Sequence, residues 1–160
     1  MIQKFIEHSR NHSYMGGIER DKLRVKKTAE VFTPTPLVHE MLDKLEESDS
    51  QLFSNPTKTF IDASCGDGQF LSEVVIRKIE RSNCTLEQSL STTYGVELME
   101  DNVKLCKERL AGPNPTQEIW YLLDKNIVCA DALTYHYRFD GTPSTMNDEE
   151  LKLNEFFSYK

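Results

Sequence analysis

Four carboxylates and a pair of glycines are the residues whose types and spacing could do chemistry. Asp62, Gly66, Asp67 and Gly68 stand in the run Thr59-Phe-Ile-Asp-Ala-Ser-Cys-Gly-Asp-Gly-Gln-Phe-Leu71, while Glu97 and Asp131 each close a short apolar stretch further on. A carboxylate accepts hydrogen bonds from hydroxyls and amines. Gly66 and Gly68, lacking Cβ, let the backbone turn sharply and let a ligand approach it closely. A helix N-terminus following such a turn attracts negative charge, but Asp62 and Asp67 place negative charge beside it. A pyrophosphate would be repelled there and a cationic, amine-bearing ligand welcomed. The balance argues against NAD and for S-adenosylmethionine.

The elements that must hold these residues follow from the hydrophobic pattern. Phe60-Ile61 reads as a short strand ending at Asp62. A small-residue loop follows, Ala63, Ser64, Cys65, Gly66, Asp67 and Gly68. A helix then runs from Gln69 to about Arg81, burying Phe70, Leu71, Val74, Val75 and Ile79. Strand, glycine turn and helix make the first unit of an open α/β sheet, with the ligand at the strand's C-terminal end. Upstream, Thr35 can cap and Pro36 can open a helix carrying one apolar stripe, Leu37, Val38, Met41, Leu42 and Leu45. Glu46 to Lys58 is a polar loop, and Thr85 to Leu90 is a short helix. Tyr94 to Leu98 is the second strand. Met99 to Leu110 is a helix, with Val103, Leu105, Cys106 and Leu110 inside, Lys104, Lys107, Glu108 and Arg109 outside, and Gly112-Pro-Asn-Pro115 as its stop. Ile119 to Leu123 reads as an added strand or hairpin arm. Ile127 to Ala130 is the third strand, ending in Asp131, for which a helix N-cap is the alternative to a ligand role.

Asp-Ala-Ser-Cys-Gly-Asp-Gly-Gln-Phe-Leu resembles the Asp-Pro-Ala-Cys-Gly-Ser-Gly-x-Phe-Leu motif of N6-adenine DNA methyltransferases. Glu30-Val-Phe-Thr-Pro34 resembles the Phe-x-Thr-Pro element of the type I modification subunits. Tyr94-Gly-Val-Glu-Leu98 and Ile127-Val-Cys-Ala-Asp-Ala-Leu133 are similar to that family's second and third cofactor motifs. The four matches keep the family's order over roughly two thirds of the chain. The resemblance implies a Rossmann-like methyltransferase fold that binds S-adenosyl-L-methionine. It implies that Phe32, Thr33 and Pro34 close over the methionine end, and that Asp62, Ser64, Cys65, Gly66, Asp67, Gly68 and Phe70 form the loop motif. It further implies that Glu97 takes both ribose hydroxyls, that Leu98 packs on the adenine, and that Asp131, with Ala132 nearby, recognises the adenine amine.

The family transfers its methyl group with an Asn/Asp-Pro-Pro-aromatic motif against a flipped base, and nothing after Asp131 matches it. Asn154 and Phe157 have the right separation without either proline. No catalytic residue is assigned, and independent catalysis is in question. The sheet reads as truncated after its third or fourth strand, which would leave the strand ending at Asp62 at an edge. A partner subunit or self-association would then complete it. The chain is thus the cofactor half of a split or phage-encoded DNA methylase, or a catalytically inactive pseudo-methyltransferase that binds or regulates. A transferase acting on another substrate is the third alternative.

Length and composition suit one globular domain. Residues 1–28 form a helical and basic extension, 29–140 the Rossmann-like domain, and 141–160 an acidic tail. The net charge of −7 opposes stand-alone DNA binding, so DNA is expected only weakly or through a partner. Residues 1–40 are the exception, with seven basic against five acidic side chains, five of the bases lying between Arg20 and Lys27. His8 and His12 share helical spacing, but no third ligand accompanies them and no metal is expected. The four cysteines show no Cys-x-x-Cys spacing and read as reduced and mostly buried. No apolar run approaches the ~18 residues of a membrane span, and the N-terminus lacks a signal-peptide core. A cytoplasmic location, host cytoplasm if phage-encoded, is expected.

Overall fold

The computed structural model describes residues 2–11 and 33–141. His12, the basic cluster between Arg20 and Lys27, Phe32 and the tail from Thr142 lie outside the described residues. The fold is α/β. Its elements in chain order are α1 (Ile2–Asn11), α2 (Thr35–Ser48), β1 (Phe60–Asp62), α3 (Gln69–Ser82), α4 (Leu86–Leu90), β2 (Thr93–Glu97), α5 (Glu100–Ala111), α6 (Gln117–Asn126) and β3 (Ile127–Cys129). The strands form one parallel sheet in the order β1-β2-β3. Ile61 pairs with Tyr94, Asp62 with Gly95, Gly95 with Ile127 and Glu97 with Cys129. Among the described residues β1 is therefore an edge strand, as the sequence led us to expect. No helix there is long and apolar enough to cross a membrane.

Strand alternation divides the core between two faces. Gly95 and Ile127 face the main cluster, in which Phe5 of α1, Leu71 and Val75 of α3, Leu90, Leu110 and Leu123 are buried together. Tyr94, Val96 and Val128 face the other side, where Tyr135, Tyr137 and Phe139 lie against the sheet. This aromatic cover spans β2 and β3. Ile61, on the same face of β1, remains 53% exposed.

Helix α3 is surrounded rather than half-buried: every residue from Leu71 to Lys78 is buried. Its charged positions survive burial because each has partners. Glu73 receives Arg10 of α1 through two hydrogen bonds of 2.9 and 3.0 Å, and the His39 ring of α2 approaches it to 3.0 Å without a hydrogen bond. Arg77 pairs with Asp43 of α2 at 2.7 Å and donates to the His39 carbonyl at 3.1 Å. The first helix also closes the end of α5. His8 bonds the Glu108 carbonyl at 2.9 Å and Ser9 donates to the Arg109 carbonyl at 3.2 Å, so side chains satisfy carbonyls that have no partner further along the helix.

Several elements differ from the sequence reading. Ile119–Leu123 belongs to helix α6, not to a strand or hairpin arm. Its buried positions, Ile119, Leu123 and Asn126, follow the helical period, and Thr116 caps it by accepting from the Ile119 N–H at 3.2 Å. The stripe on α2 splits in two. Val38 and Leu42 are fully buried against Phe53 and Val74, while Leu37, Met41 and Leu45 face outward at 46, 45 and 42% exposure. Helix α2 is capped by Pro34 rather than Thr35, whose hydroxyl is engaged elsewhere. Arg109 is buried, not outside. Cys65, Cys84 and Cys106 are buried and Cys129 is exposed, all four being free thiols.

Candidate functional site

The glycine loop is built by its own backbone. Asp62 Oδ1 accepts from the Ser64 N–H at 3.0 Å, and the Cys65 N–H crosses to the Val96 carbonyl at 3.0 Å, fixing the loop's exit from β1. The Gly68 N–H returns to the Cys65 carbonyl at 2.8 Å, and Gly66 and Gly68 take φ of 52° and 82°, where a side chain is strained. Gly68 has a second constraint: a Cβ there would come within 2.7 Å of Cys106 Sγ.

Glu97 ends β2 and ties three elements together. Its Oε2 accepts from the Gly66 N–H at 2.9 Å, and its Oε1 from the Met99 N–H at 2.9 Å and from Asn102 of α5 at 3.5 Å. Asp62 stands nearby on β1. Burial pushes its carboxyl above the ordinary carboxylate value, and the charge of Glu97 adds to this against the Ser64 N–H. Beyond β3, the Ala130 N–H bonds the Glu97 carbonyl at 3.0 Å, which places Asp131 next in line. Asp131 organises a turn instead of capping a helix: Oδ1 accepts from the Leu133 N–H at 2.9 Å and its carbonyl from the Tyr135 N–H at 2.9 Å. Leu98 and Leu133, next to the two acids, are 61 and 66% exposed. Ala132 packs with the aromatic cluster beneath.

The predicted site residues thus separate. Asp62, Gly66, Glu97 and Asp131 gather at the C-terminal edge of the sheet, with Leu98 exposed beside them. Ser64 is exposed on the loop. Cys65, Asp67 and Phe70 turn inward. Cys65 is buried, and a hydrogen bond with Cys106 together with burial holds its thiol well above the ordinary value, so it is a packing residue and not a nucleophile. Phe70 packs with Val38, Phe53 and Val74. Asp67 lends the loop no free charge, because it pairs with Arg109 at 2.6 Å. Thr33 and Pro34 enter the fold just before α2, whose Thr35 hydroxyl accepts from Gln69 Nε2 at 2.6 Å. Phe32 lies outside the described residues.

Sequence reasoning missed Gly95, Gln69 and Arg109. Gly95 sits in β2 under the loop, where a Cβ would meet Cys65 Sγ at 2.8 Å and Leu71 Cδ1 at 2.9 Å. Gly95→Ala should therefore cost about 1–2 kcal/mol of stability by overpacking, read from urea unfolding. A cost near zero would mean that the loop yields. A separate groove of about 880 Å³ opens between α5, α6 and β3, lined by Lys104, Trp120, Asp124 and Cys129 among others. None of the predicted residues among those described borders it. Among the described residues no three metal-binding side chains cluster.

Searches against protein-family models, curated proteins and solved structures returned no match. Asp62 and Glu97 at the ends of β1 and β2 and Asp131 just past β3 set carboxylates in a row, Glu97 with its oxygens on backbone N–H groups, beside a left-handed glycine loop and exposed leucines. That arrangement suits an elongated ligand bearing hydroxyls, an amine and a flat apolar part.

Proposed function

We propose that this chain is an S-adenosyl-L-methionine-binding domain with a Rossmann-like methyltransferase arrangement, similar in motif order to adenine-specific DNA methyltransferases. The observation that carries the reading is the row of Asp62 and Glu97, ending β1 and β2, and Asp131, two residues past β3, with Glu97 bonded to the glycine loop. The residues present fit such a ligand. Glu97 would accept from the ribose hydroxyls, exchanging a backbone donor for a ligand donor. Asp131 would accept from the adenine amine, with Leu98 against the ring. Asp62 would favour the cationic end, and Thr33 and Pro34 would close over the methionine. When bound, the cofactor supplies an electrophilic methyl group, and this chain's residues bind and orient it.

No Asn/Asp-Pro-Pro-aromatic run occurs in the sequence. That observation favours a second reading, a binding or regulatory module that holds the cofactor without transferring its methyl group. The exposed Ile61 on the β1 edge supports a partner strand, from another subunit or a second copy, as the source of the acceptor half.

Calorimetric titration with S-adenosylmethionine tests the reading. Micromolar binding is expected, weakened at least about tenfold by Asp62→Ala and by Glu97→Ala, the loss of a hydrogen bond to a charged group. A folded wild type that releases no heat and shifts no melting temperature would sink it.

A further inference from the structure

A polar chain runs beneath the glycine loop and ends at the Thr33-Pro34 segment. Arg109 of α5 bonds Asp67 in the loop at 2.6 Å through Nη2. Through Nη1 it bonds Oε1 of Gln69, the first residue of α3. Because arginine has no acceptor, the amide must turn its oxygen toward Arg109 and its nitrogen toward Thr35, whose hydroxyl accepts at 2.6 Å. Pro34, one residue earlier, caps α2, its carbonyl accepting from the Leu37 and Val38 N–H groups at 2.9 and 3.1 Å. Four side chains from the loop, α5, α3 and α2 thus join in one line.

The strand order says which part of a ligand this line touches. Glu97 stands in the middle of the edge and Asp131 beyond it on the β3 side. With ribose and adenine held there, the remaining portion of the ligand extends toward β1, the loop and Thr33-Pro34. We propose that Gln69 and Arg109 are positioning residues that set how closely Thr33-Pro34 approaches the glycine loop, and so the affinity for the amino-acid end of the ligand. The inference rests on the S-adenosylmethionine reading. Helix α2 does not depend on this line to stay docked, since Arg77 and Glu73 hold it at His39 and Asp43. Cutting the line should therefore shift the segment without releasing the helix.

Thr35→Val removes the acceptor and keeps the shape, and Thr35→Ser restores the acceptor. Each is titrated with S-adenosylmethionine and with 5′-methylthioadenosine, which lacks the amino-acid end. Thr35→Val is expected to weaken S-adenosylmethionine about fivefold, the worth of one neutral hydrogen bond. Its affinity for methylthioadenosine should stay within about twofold. Thr35→Ser should match wild type for both. Equal weakening of both ligands, or no weakening of either, would overturn the positioning role while leaving the cofactor reading intact. Failure of the wild type to bind either ligand would remove both.

Discussion

Arg109→Met should lower the unfolding free energy by about 3–5 kcal/mol, because it removes the cation paired with a buried carboxylate. Arg109 and Asp67 are 1 and 2% exposed and lie 2.6 Å apart. Burial pulls the guanidinium's pKa down, and the charge of Asp67 is the largest influence holding it up. Both charges are shielded from water, so removing one takes away attraction that offsets the other's burial. The double variant Asp67→Leu, Arg109→Met removes both buried charges together, so it should lose clearly less than either single change. Urea unfolding of all four proteins closes the cycle. Losses that simply add would show that the two side chains do not depend on each other.

The second large effect comes from Lys78, fully buried on α3. Its ammonium donates to the Lys58 carbonyl at 2.9 Å and to the Thr92 hydroxyl, and it lies 5.6 Å from the centre of the Phe60 ring. These partners are neutral, and burial lowers its pKa from 10.5 to about 8. An unfolded lysine keeps its proton to the higher value. Between the two the unfolded chain binds more protons, so Lys78 makes stability rise as pH increases from about 8 to 10.5. The full rise is about 3 kcal/mol at 1.36 kcal/mol per pH unit. Cys65 acts the other way above pH 9.0, since its thiol holds its proton longer in the folded protein. The difference between wild type and Lys78→Met isolates the lysine. Unfolding measured from pH 7 upward should show that difference changing in the expected direction, and parallel curves would show a lysine titrating normally.

Much of the fold was legible because its signals are local. The glycine turn, the helices after it and after β2, the stop at Gly112 and the three short strands depend on residues within one or two turns of one another. The capping box at Thr85, with Gln88 returning the bond, is likewise contained in four residues. Where apolar runs were short, period alone did not decide. Ile119–Leu123 became helix because Asn126 and Leu123 found burial one turn apart, which no five-residue window shows. Leu37, Met41 and Leu45 read as inward until packing supplied neighbours only for Val38 and Leu42.

For the candidate site, the sequence by itself determined the acids at the strand ends, the glycines between the first strand and its helix, and their order along the chain. Residue type and adjacency suffice for these. Only the tertiary structure decided which way each side chain turns. It placed Asp67 on Arg109 and Glu97 on the Gly66 N–H, although their partners stand far along the chain. It also buried Arg109, which an amphipathic pattern assigns to solvent, because α1 closes this end of α5 and Asp67 and Gln69 meet the guanidinium, while Lys104 on the same helix stays exposed. The charge at the loop is therefore set by long-range pairing, and that pairing is invisible to spacing because it depends on which elements meet.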